Sequence, residues 1–225
     1  MTSDIFTAKA RVFDCWAPSY DGLFTSVFYQ AVHQRLLTYV QFAGDEPQSV
    51  LDIGCGTGKL LNRLAAQFPA LQGTGLDLST QMLRQARRKN QYRPRLIFVQ
   101  GTSQAMPFAQ DQFQAAFSTI SFLHYPQPQP VFQEVSRVLQ PQGRFYLVDY
   151  IPFWGCGRQQ TWKGMGGPMF LYSLEDRETL GVDAGLTCKG HYALLGLVWL
   201  SILKSQTHRP ILQHFYGVLN TKRAG

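Results

Sequence analysis

The 225-residue sequence predicts an α/β fold built on an open, largely parallel sheet. Three observations carry this prediction. The stretch Val50-Leu51-Asp52-Ile53-Gly54-Cys55-Gly56-Thr57-Gly58 runs from an apolar strand through alternating glycines into a helical pattern at Lys59-Leu60-Leu61. That is the strand, tight turn and helix N-terminus with which open α/β sheets hold a nucleotide. From Ser49 to Asp149 strand-like runs alternate with helical patterns, which argues for βαβ units with right-handed crossovers. A chain that is 45% hydrophobic and 16% charged can bury a sizeable core and is not disordered.

Taken in order, Val12, Phe13 and Trp16 make a short apolar face that ends at Ala17-Pro18. Leu23, Phe24, Val27, Phe28, Ala31, Val32, Leu36, Tyr39 and Val40 then trace the wide stripe of a long helix, closed by Gly44-Asp45-Glu46-Pro47. Strand one is Val50–Ile53. Its helix carries Leu60, Leu61, Leu64, Ala65 and Phe68 and stops at Pro69. Strand two, Gly73–Leu78, is weak by propensity, with Gly73 and Gly75 inside it. Ser79 reads as the N-cap of a helix bearing Met82, Leu83 and Ala86. Strand three is Leu96–Gln100, and strand four, Ala115–Ile120, follows a polar turn. A Pro-rich loop from Pro126 to Pro130 leads into a helix with Val131, Phe132, Val135, Val138 and Leu139, ended by Pro141-Gln142-Gly143. Arg144–Asp149 is strand five.

Residues 151–172 break the rhythm with five glycines among Phe153, Trp154, Trp162, Phe170 and Tyr172. Helix returns at Leu174–Leu180, Gly185 ends it, and two strand-like runs flank Gly196. Pro210 opens a last helix with Ile211, Leu212, Phe215, Tyr216 and Leu219 on one face.

Composition narrows the function classes. The four cysteines, at 15, 55, 156 and 188, contain no C-x-x-C pair, so neither a disulfide framework nor a zinc site is expected. The N-terminus has no apolar signal core, and the longest apolar run, 192–203, is too short to span a bilayer. A soluble cytoplasmic protein is the expectation, with room for peripheral membrane contact. The net charge of +7 permits a nucleic-acid partner without demanding one. Much of it lies in Arg84, Arg87, Arg88, Lys89, Arg93 and Arg95, read as a solvated helix end.

The glycine turn discriminates between cofactors. A dinucleotide fingerprint needs G-x-G-x-x-G, whereas here the spacing is Gly54-x-Gly56-x-Gly58 and Lys59 takes the third fingerprint position. Asp52, directly before the loop, would repel a pyrophosphate on the helix N-terminus but suits a ligand with an ammonium and a sulfonium centre. Asp77, at the end of strand two, stands where an acid accepts ribose hydroxyls. The two acids together favour S-adenosylmethionine (SAM) over NAD.

On these residues, 50–149 resembles a class I SAM-dependent methyltransferase of the ubiquinone/menaquinone-methyltransferase-like (type 11) group. Leu76-Asp77-Leu78-Ser79 is similar to that family's ribose-binding turn, and Gly101-Thr102-Ser103-Gln104-Ala105-Met106-Pro107-Phe108 to its adenine-side loop. Leu139-Gln140-Pro141-Gln142-Gly143 resembles its post-helix turn, and Trp16-Ala17-Pro18-Ser19-Tyr20-Asp21 a motif ahead of the domain. The resemblance implies a Rossmann-like, doubly wound, mostly parallel sheet of seven strands with the last antiparallel. Thr187–Leu195 and Leu197–Ser205 would then be strands six and seven. It implies a helical cap over 1–46, a SAM-binding domain over 47–205 with 151–172 as a substrate loop, and a C-terminal helix over 206–225.

It further implies SAM contacts from Tyr20, Asp52, Gly54, Cys55, Gly56, Thr57, Gly58, Asp77, Leu78, Met82, Thr102, Ser103 and Thr119. Thr102 departs from the family, which usually has an acid there to accept from the adenine amino group. A hydroxyl accepts more weakly than a carboxylate. Gln142 stands where the family commonly has a further glycine or Pro-Gly.

Methyl transfer needs alignment more than a base. If a base acts, His124 after strand four is the first candidate and Asp149 the second. The aromatics of 151–172 favour a small apolar or aromatic acceptor, methylated on oxygen or carbon. Two alternatives stand beside this reading. One is a SAM-binding regulatory or interaction protein without turnover. The other, a nucleic-acid methyltransferase, is disfavoured because the chain reads Ser118-Thr119-Ile120-Ser121 where base-amine methyltransferases carry Asn- or Asp-Pro-Pro-aromatic.

Overall fold

The computed structural model describes residues 23–42, 47–151, 160–164 and 167–206. The N-terminal motif with Tyr20, the turn at 44–46 and the helix expected after Pro210 lie outside them. In order, the elements are α1 (Leu23–Leu37), β1 (Gln48–Ile53), α2 (Lys59–Gln67), β2 (Leu71–Asp77), α3 (Thr80–Lys89), β3 (Leu96–Gln100) and β4 (Phe113–Thr119). A 3₁₀ turn (Phe122–His124), α4 (Pro128–Val138), β5 (Leu139–Tyr150), β6 (Gln160–Gly164), β7 (Gly167–Leu171), α5 (Leu174–Asp183), β8 (Leu186–Leu195) and β9 (Val198–Ser205) follow.

Seven strands form one sheet in the order β3-β2-β1-β4-β5-β9-β8. The pairs β2–β3, β1–β2, β1–β4 and β4–β5 are parallel, and β9 is antiparallel to both its neighbours. This is the expected doubly wound sheet with its last strand reversed. Val50 packs with Leu36, Leu61, Leu83 and Phe117 on the face covered by α1, α2 and α3. Leu51 and Ile53 pack with Val131, Phe132, Val135 and Leu147 on the α4 face, which α5 also covers. Burial on both faces is why β1 reads as a continuous apolar run and not as an alternation.

Several local expectations shift. α4 ends at Val138 and Leu139 already pairs with Phe113, so β5 runs over the residues read as a post-helix turn. Gln142 takes the left-handed backbone there (φ 66). Gly143 is tight, because a Cβ would lie 2.8 Å from the Gln140 carbonyl oxygen. The 151–172 stretch is not all loop, since β6 and β7 form a separate antiparallel ribbon. β2 forms despite its glycines. A Cβ at Gly73 would meet Leu96 and Leu61 at 2.7 and 2.9 Å, and one at Gly75 would meet Cys55 Sγ and Phe98 at 2.7 Å.

The basic cluster is only partly a solvated face. The Arg95 guanidinium donates to the carbonyls of Ala65, Phe68, Pro69 and Leu71 at 2.8–3.3 Å, collecting orphan acceptors at the end of α2. Arg87 donates to the Phe98 carbonyl at 2.8 Å. Among the described residues no helix is long and apolar enough to cross a membrane.

Candidate active site

The sheet order reverses between β1 and β4, and a crevice opens beyond the carboxyl ends of strands at such a switch point. A cleft of about 1080 Å³, counting space open to solvent, lies there. The glycine turn builds its floor. Gly54, Gly56 and Gly58 all have positive φ (71, 51 and 75), which only glycine takes without strain. The N–H groups of Gly54 and Cys55 donate to the Leu76 carbonyl at 2.8 and 3.0 Å, tying the turn to the end of β2.

Asp77 completes that tie. Its Oδ2 accepts from Gly56 N and its Oδ1 from Ser79 N, both at 2.8 Å. An ionised carboxylate offers about four acceptor positions, the chemistry that hydroxyl donors of a ligand need. Ser79 caps α3 through Met82 N at 3.1 Å, which leaves Asp77 free of that duty.

Asp52 is 2% exposed, and burial together with the neighbouring Asp77 charge pushes its pKa up to about 8. The same burial, then Asp77 and Asp52, drive the Cys55 thiol well above its ordinary value. A site with two acids in one cleft, one of them costly to ionise alone, is suited to a cationic ligand.

Of the residues expected to contact a cofactor, Asp52, Gly54, Cys55, Gly56, Thr57, Asp77, Leu78, Met82, Thr102, Ser103 and Thr119 all line this cleft. Gly58 does not. A Cβ there would meet the Phe98 ring at 2.9 Å, so its place is in the turn and the packing beneath it. The Thr102 hydroxyl accepts from Gln104 N at 3.4 Å. His124 also lines the cleft.

Asp149, the second base candidate, is not among the lining residues. Its carboxylate accepts from Leu123 N and Tyr150 N at 2.9 and 2.8 Å, which fixes the 3₁₀ turn that carries His124. Burial raises its pKa to about 6, opposed by Arg177.

Other residues reach the cleft from distant parts of the chain. Tyr29 and His33 come from α1, Ile120, Ser121 and Tyr125 from the loop after β4, and Lys59 from the start of α2. His33 Nδ1 accepts from Arg63 Nη1 at 2.7 Å, and burial with the Arg63 and Lys59 charges lowers its pKa to about 3, so the ring is neutral. Ser121 Oγ donates to the Ile53 carbonyl at 2.9 Å and lies 2.8 Å from Ser118 Oγ. The Tyr125 carbonyl accepts from the Tyr172 hydroxyl at 2.6 Å, linking the wall to the residue after β7. Ile120 holds a left-handed backbone (φ 51), a strained state for a β-branched residue and one that clusters at functional sites. No local pattern around Ile120, Ser121 or Tyr125 announces these roles. The helical stripe through Phe28 and Val32 gives α1 but not which polar residue on it turns inward.

Residues 50–143 match the family profile described as "Methyltransferase domain". Over 151 residues the chain is 35% identical to the malonyl-[acyl-carrier protein] O-methyltransferase of Legionella pneumophila, covering 67% of this chain and 53% of that protein. Residues 50–143 are a methyltransferase domain of the class I SAM-dependent kind. The demethylmenaquinone methyltransferase of Chlorobaculum parvum is 31% identical over 144 residues, covering 62% of this chain and 58% of its own length. The chain thus spans less than two thirds of the length of these curated relatives. In fold it is similar to the SAM-dependent methyltransferase of Mesorhizobium loti, with TM-score 0.66 and 17% identity, covering 77% of this chain and 97% of that one. The cofactor of the family, SAM, carries an ammonium and a sulfonium, and the paired acids of the cleft fit it.

Proposed function

We propose that the chain transfers a methyl group from SAM to the oxygen or carbon of a small acceptor with an apolar or aromatic body. The observation that carries this reading is the convergence of Asp52 and Asp77 on one cleft across the glycine turn. In it, Asp52 receives the ammonium, Asp77 the ribose hydroxyls, and Thr102 with Ser103 the adenine side. Cys55, Gly56, Thr57, Leu78, Met82 and Thr119 pack the remainder of the cofactor. The N-terminus of α2 beside Lys59 suits its carboxylate.

SAM supplies an electrophilic methyl already activated by the sulfonium charge. The protein's part is to align the acceptor, exclude water and, where the acceptor needs it, take a proton at His124. Tyr29, neutral His33, Ile120 and Tyr125 form a mixed apolar and aromatic wall for the acceptor. Of the relatives, the demethylmenaquinone methyltransferase is named for an aromatic acceptor of this kind, whereas the malonyl-[acyl-carrier protein] O-methyltransferase is named for an oxygen acceptor borne on a carrier protein.

A coupled assay for S-adenosylhomocysteine release over malonyl thioesters, fatty acids, phenols and quinols tests the proposal. Turnover with at least one class is expected, and Asp52→Ala should abolish SAM binding by calorimetry. Unchanged SAM affinity in that variant would sink the site assignment. A second reading, SAM binding without turnover, is favoured by Thr102 where the family has an acid. Tight SAM binding with no release across the whole panel would select it.

A further inference from the structure

Three potential metal ligands that do not line the cleft meet on the edge of the sheet, three strands beyond β4. We propose that Glu178, Cys188 and His191 form a zinc-class metal site that clamps α5 to the edge strand β8.

The strand itself is built for this. Cys188 pairs with Leu203 and Gly190 with Ile202, so β8 carries one residue more than β9 across this step. In a regular strand residues three apart point to opposite faces. The bulge restores Cys188 and His191 to one face, the face on which β9 presents Ser201 and Leu203. Gly190, with φ 148 and a would-be Cβ 2.8 Å from the Tyr192 hydroxyl, makes the bulge fit. α5 covers that same face, since a Cβ at Gly181 would run into the Leu203 side chain, and Glu178 extends from it to His191.

The ligand atoms all lie within 4.8 Å of one another. Cys188 Sγ is 3.5 Å and Glu178 Oε1 2.9 Å from the same atom, His191 Nε2. A ring nitrogen has one in-plane position, so a proton there serves only one of these two partners, whereas a metal ion serves both. Tetrahedral zinc bonds would place sulfur and nitrogen about 3.5 Å apart and nitrogen and oxygen about 3.3 Å apart. The Cys–His spacing already agrees, and Glu178 needs to withdraw by only about 0.4 Å to accommodate the ion.

The surroundings orient the ring. His191 Nδ1 is 2.9 Å from Ser201 Oγ, which accepts from Arg177 Nη1 at 3.2 Å and keeps a lone pair for the Nδ1 proton. The tautomer protonated on Nδ1 toward Ser201 leaves Nε2 open to an ion in the cluster, the arrangement that outer-sphere partners of ligating histidines favour. The His191 side chain is 15% exposed and that of Glu178 53%, so one side stays open to solvent for ion access and a water ligand. Thiolate, imidazole and carboxylate together select zinc over magnesium or calcium.

Chelator-treated full-length protein titrated with zinc against a chromophoric competitor tests the proposal. One ion per chain is expected, with affinity at least tenfold weaker in Cys188→Ser and in His191→Gln, and weakened in Ser201→Ala by about tenfold. Cobalt substitution should give a thiolate-to-metal charge-transfer band that Cys188→Ser removes. Glu178→Gln, on the exposed side of α5, keeps the test open if a strand variant fails to fold. No zinc bound above background, or zinc affinity and the cobalt band unchanged in the folded variants, would overturn the site.

Discussion

Asp52→Asn isolates what the cleft demands of a ligand. In the free protein Asp52 is buried and its pKa stands at about 8 against an ordinary value of 3.8. At pH 7 the native state must therefore hold a proton that the unfolded chain has released, about three pH units above its ordinary range, a cost of roughly 4 kcal/mol. Asparagine has the shape of the protonated acid and carries no such cost, though its buried amide loses about 1–3 kcal/mol if poorly partnered. The net expectation at pH 7 is a variant more stable than the parent by about 2 kcal/mol, or roughly 4–8 °C in Tm.

The sign follows from proton counts. Between pH 4 and 8 the native parent binds more protons than its unfolded chain, so parent stability falls with rising pH and the advantage of the variant grows. Below pH 4 both states hold the proton and the advantage vanishes, while above about pH 8 it levels off. SAM binding should move the opposite way, since the variant loses the anion proposed to receive the ammonium, and parent affinity should rise with pH toward 8. Thermal denaturation from pH 4 to 9, paired with calorimetry of SAM binding, reads both effects. A stability difference that does not change with pH would refute the reasoning about Asp52.

Gly54→Ala combines φ 71 with a Cβ 2.6 Å from Ser121 Cβ, and should cost about 1–3 kcal/mol and most SAM affinity, measured by denaturant melts and calorimetry. Thr102→Asp restores a charged acceptor and should tighten SAM about tenfold in the same titration. Unchanged affinity would mean that the adenine amino group is met elsewhere. Arg177→Met removes the buried cation that donates to the Asp149 and Tyr150 carbonyls and opposes the upward shift of Asp149. Its cost of about 3–5 kcal/mol should be greatest above pH 6, where Asp149 ionises, and shrink below it. Melts at pH 5 and 8 that drop equally would count against that pairing.

Sequence by itself determined the α/β class, the order of the strands along the chain, the glycine turn and the two acids. These are legible because the strand, turn and helix start lie in one contiguous stretch, and each glycine and acid answers to a local requirement. It misplaced what depends on distant partners. β2 looked weak because Gly73 and Gly75 lack β propensity, yet that space is filled by Leu61, Leu96, Cys55 and Phe98 from other elements. Arg95 looked solvent-bound until the end of α2 supplied its carbonyls. Asp149 looked like a base until Leu123 N and Tyr150 N claimed its oxygens. Gly58 shares the motif with Gly54 but faces Phe98 and not the cleft. The cleft wall of Tyr29, His33, Ile120 and Tyr125 joins α1 to the loop after β4, and the Glu178–Cys188–His191 cluster depends on a bulge and a helix ten residues upstream. Spacing along the chain carries no record of such contacts, because they are fixed by the packing of helices on both faces of one sheet.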